Sequence, residues 1–512
     1  MTADEVMGIF HTTHDSVPNY EVVPILYSSN AIHKNGTRKM RVKTFNRNIE
    51  LTLNPTEGYL ASIDTPLWTV RSGDQQAPEG LRYTLIPKAL QDIGTPMQDE
   101  KSEAAVLVAS KNKYPTFDGF LSSNFVIRSL PQRVIDLLYG KDRFFEFHFD
   151  EEAEMENLMY TYHHIVYEKI REKNYERFQI TNPLNKMYPI PDVVYPEILI
   201  VVDYALYASL GGNIDQAKRY IVAFWNGVDL RYRALTKPKI RLNIAGIIIA
   251  TDMKAVPYIE NSRLKSNLVD ADQALTGMST YFYREKRFPW KMYDIAMATT
   301  HLNLCNKLDE YLCDPETLGY AFVRGACNRN STTKTSEAVG IAEDNGGFSG
   351  IIPVAHELGH LLGAHHDGTT NDTKKCPASD GYMMTGTLQL SENQFKWSIC
   401  SIRALQKFLS EDTAKCLYDE PPKATAIRRL MPGKLMSLDS QCKKVYGGIA
   451  CKENESEVCY RLECEVPDSN GVCAAVAAAA EGSSCGTNLI CLDGQCVLEG
   501  TEVKHEKGIQ QR

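Results

Sequence analysis

The stretch HELGHLLGAHHD, residues 356–367, decides how the rest of this 512-residue chain is read. His356 and His360 stand four residues apart, so on a helix their imidazoles leave one face, a turn apart. Two neutral imidazoles so placed can hold a zinc ion at Zn–N distances of roughly 2.0–2.1 Å. Glu357 stays outside that pair and is free to act as general base toward a water at the metal. Gly363 falls where the chain must leave the helix, through a left-handed conformation that glycine accepts. That exit brings His366 round as the third ligand. Three protein ligands leave one position open, the mark of a catalytic rather than a structural zinc site. A lone HExxH also occurs by chance on amphipathic helices, but three His, a Glu and a Gly at set offsets form a much more specific pattern. His365 faces away from the pair and reads as an ordinary exposed histidine.

Around this stretch the chain is too long for one core and should hold about three domains. With 43% hydrophobic and 23% charged residues it has the composition of a soluble globular protein. A formal net charge of −8 gives no reason to expect nucleic acid or an anionic membrane as partner. No apolar run is long enough to span a bilayer. All 14 cysteines fall between Cys305 and Cys496, a clustering that points to disulfides and an oxidising compartment. The sequons at Asn35, Asn330, Asn371 and Asn454 agree with secretion. The opening MTADEV has no signal-peptide pattern, so secretion is expected with a signal sequence lying outside this chain.

Residues 1–190 form a cysteine-free block with alternating stretches such as NIELTLN at 48–54, which reads as a half-buried strand. The acidic stretch 144–159 reads as a solvated surface. At Pro189, Ile190 and Pro191 the composition changes, and YPEILIVVD (195–203) starts a new unit with a buried strand. A helix over 213–230, a strand over 239–250 and a further helix before Cys305 follow. Short strands are expected at 318–323 and 338–342, with Pro353 tolerated in the first turn of the helix carrying His356. Pro421 and Pro422 mark a linker. Beyond it eight cysteines, Cys442 to Cys496, sit too close together to surround a conventional core, so disulfides must carry that module. The run 474–480 is alanine-rich and uninformative.

The pattern H-E-x-x-H-x-x-G-x-x-H resembles the metzincins, whose further signature is a methionine turn beneath the zinc. GYMMTG at 381–386 suits that turn, with Met384 favoured and Met383 the alternative. Asp367, directly after His366, resembles the adamalysin (reprolysin) branch. The fold implied is α/β: a metzincin domain with a twisted mixed sheet and helices, preceded by a β-rich pro-domain and followed by a small disulfide-rich module. Residues 195–203 resemble the opening strand of that domain. LGYAFV (318–323) resembles its edge strand, whose open backbone groups pair with an extended substrate. The resemblance also implies a Cys327–Cys416 disulfide, with Cys376–Cys400 and Cys305–Cys313 taking the cysteines left over. It implies a calcium site where the domain's ends meet, at Glu197, Asp294, the carbonyl of Cys416 and Asp419, an oxygen set that suits this ion.

CYRLEC (459–464), GSSC (482–485) and GQCV (494–497) resemble the disintegrin-like module of the ADAMTS proteases. That resemblance implies pairings Cys442–Cys464, Cys451–Cys473, Cys459–Cys491 and Cys485–Cys496. No Arg-Gly-Asp triplet is present, so the role favoured for the module is a substrate exosite rather than integrin binding. DGF (118–120) and FVIR (125–128) resemble the later part of adamalysin propeptides, with an independent β-rich binding domain as the alternative for this block. Together the pieces resemble the salivary metalloproteases of ticks. The divisions expected are 1–190 pro-domain, 193–420 catalytic domain, 421–435 linker, 436–500 module and 501–512 tail.

The function expected is a secreted, monomeric zinc metalloendopeptidase cutting extracellular proteins, by resemblance matrix or clotting proteins such as fibrinogen. A catalytically silent binding protein is a rival, opposed by the retention of all three ligands and Glu357. A peptidase limited to short peptides is another, to be separated by cleavage of a folded protein. With no cysteine before Cys305, residues 1–190 cannot place a thiolate on the metal. A carboxylate or His148, His163 or His164 is chemically able to substitute. Blocking by bulk, or aid in folding, is the favoured role. No furin-type basic run stands between 130 and 195, and 169–177 offers only scattered basic residues.

Overall fold

The computed structural model describes residues 2–10, 17–28, 37–139, 158–168 and 190–499, apart from short breaks within them. Asn35, Asn454, His148, acidic residues 144–157, basic residues 169–177 and the tail 501–512 lie outside the described residues.

A hairpin of β1 (Leu67–Arg71) and β2 (Arg82–Ile86) comes early in the chain. Later follow β3 (Glu197–Val202), helix α1 (Ile214–Arg233), β4 (Asn243–Ala250), α2 (Ala271–Arg284) and β5 (Ile295–Thr300). Then come β6 (Gly319–Ala321), β7 (Val339–Glu343), α3 (Ile351–Leu361) and α4 (Ile399–Leu409). Among the described residues these strands make one seven-stranded sheet in the order β6-β7-β5-β3-β4-β1-β2. Its centre, β1 with β3, β4, β5 and β7, is parallel; β6 and β2 run antiparallel to their neighbours at the two edges.

A parallel sheet is covered on both faces, and the β3 sequence EILIVV suits that position. Alternate residues serve alternate layers. Ile198, Ile200 and Val202 pack with Phe224 and Trp225 of α1 and with Val354 and Leu358 of α3. Leu199 and Val201 pack with Leu275, Met278 and Phe282 of α2. Helix α1 starts where Asn213 Oδ1 accepts the amides of Asp215 at 2.8 Å and Gln216 at 3.1 Å. The single strand expected over 239–250 is in fact two. Lys239–Ile240 pairs with Val193–Val194 outside the main sheet, and the Leu242 amide turns to Asp229 Oδ1 before β4 begins.

Most of the N-terminal region forms its own ten-stranded sheet, from Tyr20–Val23 at one end to Leu158–Tyr160 at the other. Met40, Leu53, Phe117 and Ile127 fill its interior. His164 is buried there, its Nε2 accepting the Phe117 amide at 3.0 Å, so it is not free to reach a metal.

Residues 57–93 behave differently. Leu60, Leu67, Leu90 and Ile93 lie in the same core cluster as Ile244, Ile247 and Ile249 of β4. The Ile244 amide donates to Leu60 O at 2.7 Å and the Ile247 amide to Pro66 O at 2.9 Å. Trp68 lies over Gly246, where a Cβ would stand 2.7 Å from its ring. Lys218 of α1 pairs with Asp92 at 2.8 Å. This segment packs into the core of the seven-stranded sheet.

Seven disulfides join Cys305–Cys313, Cys327–Cys416, Cys376–Cys400, Cys442–Cys464, Cys451–Cys473, Cys459–Cys491 and Cys485–Cys496. The last four surround a small core of Leu438, Val458 and Leu462. The alanine run is not featureless: Cys473–Ala477 is a strand paired with Leu462–Glu465.

Burying side chains such as Leu60, Leu67, Val70, Leu90 and Ile93 contributes about 1.5–3 kcal/mol each, together on the order of the whole stability of a domain. A chain beginning at residue 193 is therefore expected not to refold to a cooperative native state, while a peptide covering 57–93 added in trans should restore it. Thermal scans of refolded 193–500 check this. A cooperative melt within about 5 °C of the full chain would count against it.

Candidate metal centre

Helix α3 begins without a side-chain cap, and the loop before it is held instead by buried Asp344. That carboxylate accepts the Gly350 amide at 3.1 Å and the Tyr220 hydroxyl at 2.5 Å. The helix ends at Leu361, because Gly363 takes a φ of 106° and a Cβ there would meet Phe408 Cβ at 2.5 Å. The chain turns back at this point and brings His366 over the helix.

His356 Nε2 lies 3.1 Å from His366 Nε2, and His360 Nε2 lies 3.0 Å from the same atom. The other nitrogens are engaged: His356 Nδ1 is 2.7 Å from Met383 O, and His360 Nδ1 is 2.8 Å from Ala364 O. Carbonyls only accept, so each Nδ1 carries the proton and both Nε2 atoms present bare lone pairs. Burial lowers the pKa of all three histidines, His356 to about 4, with neighbouring imidazoles adding to the effect. Converging neutral lone pairs repel unless a cation sits among them. Three tetrahedral ligands at roughly 2.05 Å from an ion would stand about 3.3 Å apart, close to what is seen. The trio fits zinc. Among the described residues the only other set of this kind is Cys459, Cys485 and Cys496, whose sulfurs are in disulfides.

Glu357 is buried, and burial raises its pKa to about 8. Its Oε2 has no hydrogen-bond partner among the described residues. The carboxyl lies under β6: a Cβ on Gly319 would stand 2.6 Å from Glu357 Oε1. Sequence reading placed 319 in the edge strand but did not single out its lack of a side chain.

Met384 is fully buried and its sulfur meets α3, since a Cβ on Gly359 would lie 2.7 Å from Met384 Sδ. Met383 contributes its carbonyl to His356 instead. Asp367 ties the pieces together: its amide donates to Met384 O at 2.8 Å, and its Oδ1 accepts the Ser398 hydroxyl at 2.8 Å. The Cys376–Cys400 disulfide closes the same loop. His365 is exposed. Trp397, Tyr232 and Arg231, which also brace this helix, carried no recognisable motif.

At the opposite end of β3 the protease's two ends meet, with the Tyr195 amide donating to Leu417 O at 2.7 Å. Asp294 Oδ2 accepts the Glu197 amide at 2.9 Å. Burial, with the charges of Glu197 and Asp419, raises Asp294 to about 8. These acids do not converge as the histidines do.

A covered parallel sheet, an HExxH helix and a third histidine delivered by a glycine exit define a zinc metalloendopeptidase. The comparisons agree. Residues 196–398 match the metallopeptidase family M12, and residues 432–497 match the ADAMTS cysteine-rich domain 2. An ADAMTS-like protein of Bombyx mori is 35% identical over 91% of this chain and 73% of its own length. Venom metalloproteinase 3 of Eulophus pennicornis is 27% identical over 62% of this chain and 70% of its own length. Mouse ADAMTS 7 is 34% identical over 41% of this chain but only 12% of its own length. The chain belongs to the ADAMTS-like metalloproteinases of family M12.

Gly319→Ala is expected to displace the Glu357 carboxyl and to lower peptide hydrolysis between about tenfold and a hundredfold, as small misplacements of reacting groups do. Zinc content and melting temperature should stay near those of the parent. Full activity with an unchanged pH profile would show that the contact does not position Glu357.

Proposed function

We propose that the chain is a secreted endopeptidase that hydrolyses internal bonds of extracellular proteins, with His356, His360 and His366 as zinc ligands and Glu357 as general base. The observation that carries this is the buried Glu357 carboxyl, whose Oε2 has no hydrogen-bond partner among the described residues, beside three convergent imidazoles. Zinc, when bound, supplies Lewis acidity that lowers the pKa of a water and polarises the scissile carbonyl. The residues of the chain do the rest. Strand β6, an antiparallel edge three residues long, offers backbone groups for an extended substrate. Glu357 takes a proton from the attacking water and delivers it to the departing amine nitrogen as the C–N bond breaks. Burial raises the proton affinity of the carboxyl, which favours holding the water's proton until the amine departs.

Seven disulfides support an oxidising destination. Matrix or clotting proteins such as fibrinogen are the substrates to test first, and venom metalloproteinases among the relatives favour extracellular targets. A calcium ion at Glu197, Asp294, Asp419 and the Cys416 carbonyl belongs to the same reading. A divalent ion there would offset the burial and the neighbouring charges that raise the pKa of Asp294. For residues 1–190 the burial of 57–93 favours aid in folding over obstruction.

Glu357→Ala should retain stoichiometric zinc yet lose about 10²–10⁴-fold in rate. His366→Ala should instead weaken zinc itself by more than about 100-fold, beyond the loss typical of an outer-shell partner. Metal content by mass spectrometry and hydrolysis of a quenched peptide decide both. Tight stoichiometric zinc in His366→Ala would place the third ligand elsewhere.

A further inference from the structure

Arg231 lies in the last turn of α1, and its side chain is completely buried. Its acceptors come from the far end of the chain: Nη2 bonds to Glu481 Oε1 and stands 3.0 Å from Asp493 Oδ1. Both belong to the disulfide-rich module. The Glu481 side chain is only 5% exposed, and the Asp493 amide orients it by donating to both carboxylate oxygens at 3.1 Å. Arg231 Nε and Nη1 have no hydrogen-bond partner among the described residues, so the cation depends on these two acids. The guanidinium carbon lies 4.9 Å from the centre of the Phe395 ring.

This junction reaches the metal centre through short contacts. The Arg231 carbonyl accepts Trp397 Nε1–H at 2.9 Å. Trp397 packs beneath α3, where a Cβ on Gly359 would meet its ring at 3.1 Å. The next residue, Tyr232, donates its hydroxyl to Ala355 O at 2.7 Å, directly before His356. Module residues also border the start of α3: the alanines at 477–480 face Ile351, Ile352 and Pro353 across a cavity of about 30 Å³. Lys444 bonds to Ser209 O, and Gln394 Nε2 donates to Tyr460 O at 2.9 Å.

We propose that Arg231 and Glu481 are positioning residues for the catalytic helix, so that the module is a working part of the catalytic unit and not only a surface for substrate. A buried ion pair is poor glue, because desolvation offsets much of the attraction, but it is geometrically exacting. Apolar packing alone would let the module slide; a buried cation whose Nη2 is shared between Glu481 and Asp493 sets one register. That register fixes the end of α1 on which Trp397 and Ala355 lean. The inference rests on the peptidase reading above, and zinc release provides a readout independent of it.

The test uses the full chain. Glu481→Gln and Arg231→Met are compared with Glu463→Gln, whose Arg461 salt bridge lies within the module. Expected for the first two are a kcat on a short quenched peptide at least fivefold lower, with KM within twofold, and zinc release to a chelator at least fivefold faster. Glu463→Gln should match the parent. Since Arg231→Met leaves a buried carboxylate unpaired and can misfold, the double variant Arg231→Met/Glu481→Leu, which removes both charges, is made alongside. It should fold, having no buried unpaired charge from this pair, yet keep the lowered kcat and the faster zinc release, because apolar packing does not set the register. Parental kcat and zinc release in Glu481→Gln would overturn the proposal, as would parental kcat and zinc release in the folded double variant. Losses confined to KM for large protein substrates would also overturn it and leave the module an exosite alone. A parent chain that cleaves no peptide yet shows faster zinc release in Glu481→Gln would sink the peptidase reading and keep this one.

Discussion

Three imidazole Nε2 atoms are held near one another, two of the separations being 3.0 and 3.1 Å, and much of the protease is arranged to keep them so. Two backbone carbonyls, those of Met383 and Ala364, choose the tautomer by taking the Nδ1 protons. One carbonyl comes from the helix exit and the other from a loop 27 residues beyond His356. The ligand set therefore exists only when the exit at Gly363 and the methionine turn are both in place. Asp367 joins those two by bonding the Met384 carbonyl and the Ser398 hydroxyl. An arrangement of lone pairs that repel without a cation couples metal affinity to the integrity of everything holding it.

Glu357 is governed by the opposite requirement. A ligand must be neutral and aimed; a base, the role proposed for Glu357, must be close, unpaired and able to change its charge. Burial under β6 leaves Oε2 without a hydrogen-bond partner among the described residues and raises the carboxyl's pKa, and the space it occupies exists only because residue 319 has no side chain. The same strand offers the backbone edge for a substrate. On the proposed mechanism, proton transfer and substrate alignment share one short strand, where a change at a single position touches both.

The metal site was legible because its chemistry sits in twelve consecutive residues, 356–367, whose spacing alone sets the geometry. The parallel core was legible for a similar reason: EILIVV and NIAGIIIA can only be strands covered on both faces. What escaped reading depends on contacts distant in the chain. Arg231 looks like an ordinary cation in the last turn of a helix, where the dipole favours it, and nothing local shows that its partners stand 250 and 262 residues away. Trp397 and Tyr232 read as core aromatics. The alanine run looked empty because small side chains carry no pattern, although close packing against α3 requires small side chains. The split of 239–250 was hidden by continuous apolar character, which cannot show that Leu242 turns its amide to Asp229.

The hairpin at residues 67–86 answers a problem set by the sheet itself. A parallel sheet ends in two edges of unpaired backbone, and an exposed apolar edge invites other chains. At one end the edge strand is only three residues long, Gly319–Ala321, and is the one proposed to align a substrate. At the other, β4 is eight residues long and rich in isoleucine, an edge too long and too apolar to leave bare. The N-terminal region covers it by pairing Leu67 to Val70 in parallel with Ile247 to Ala250. The new outer strand, Arg82–Ile86, is more polar, with Arg82 at its end and a burial pattern that is mostly exposed. A segment that completes the sheet at the edge farthest from the site cannot be an obstruction of the cleft. A chain cut between this region and β3 would keep the hairpin in place through those strand bonds. Cutting and detachment are then separate events, and whatever a cut changes at the cleft must come through other parts of the N-terminal region.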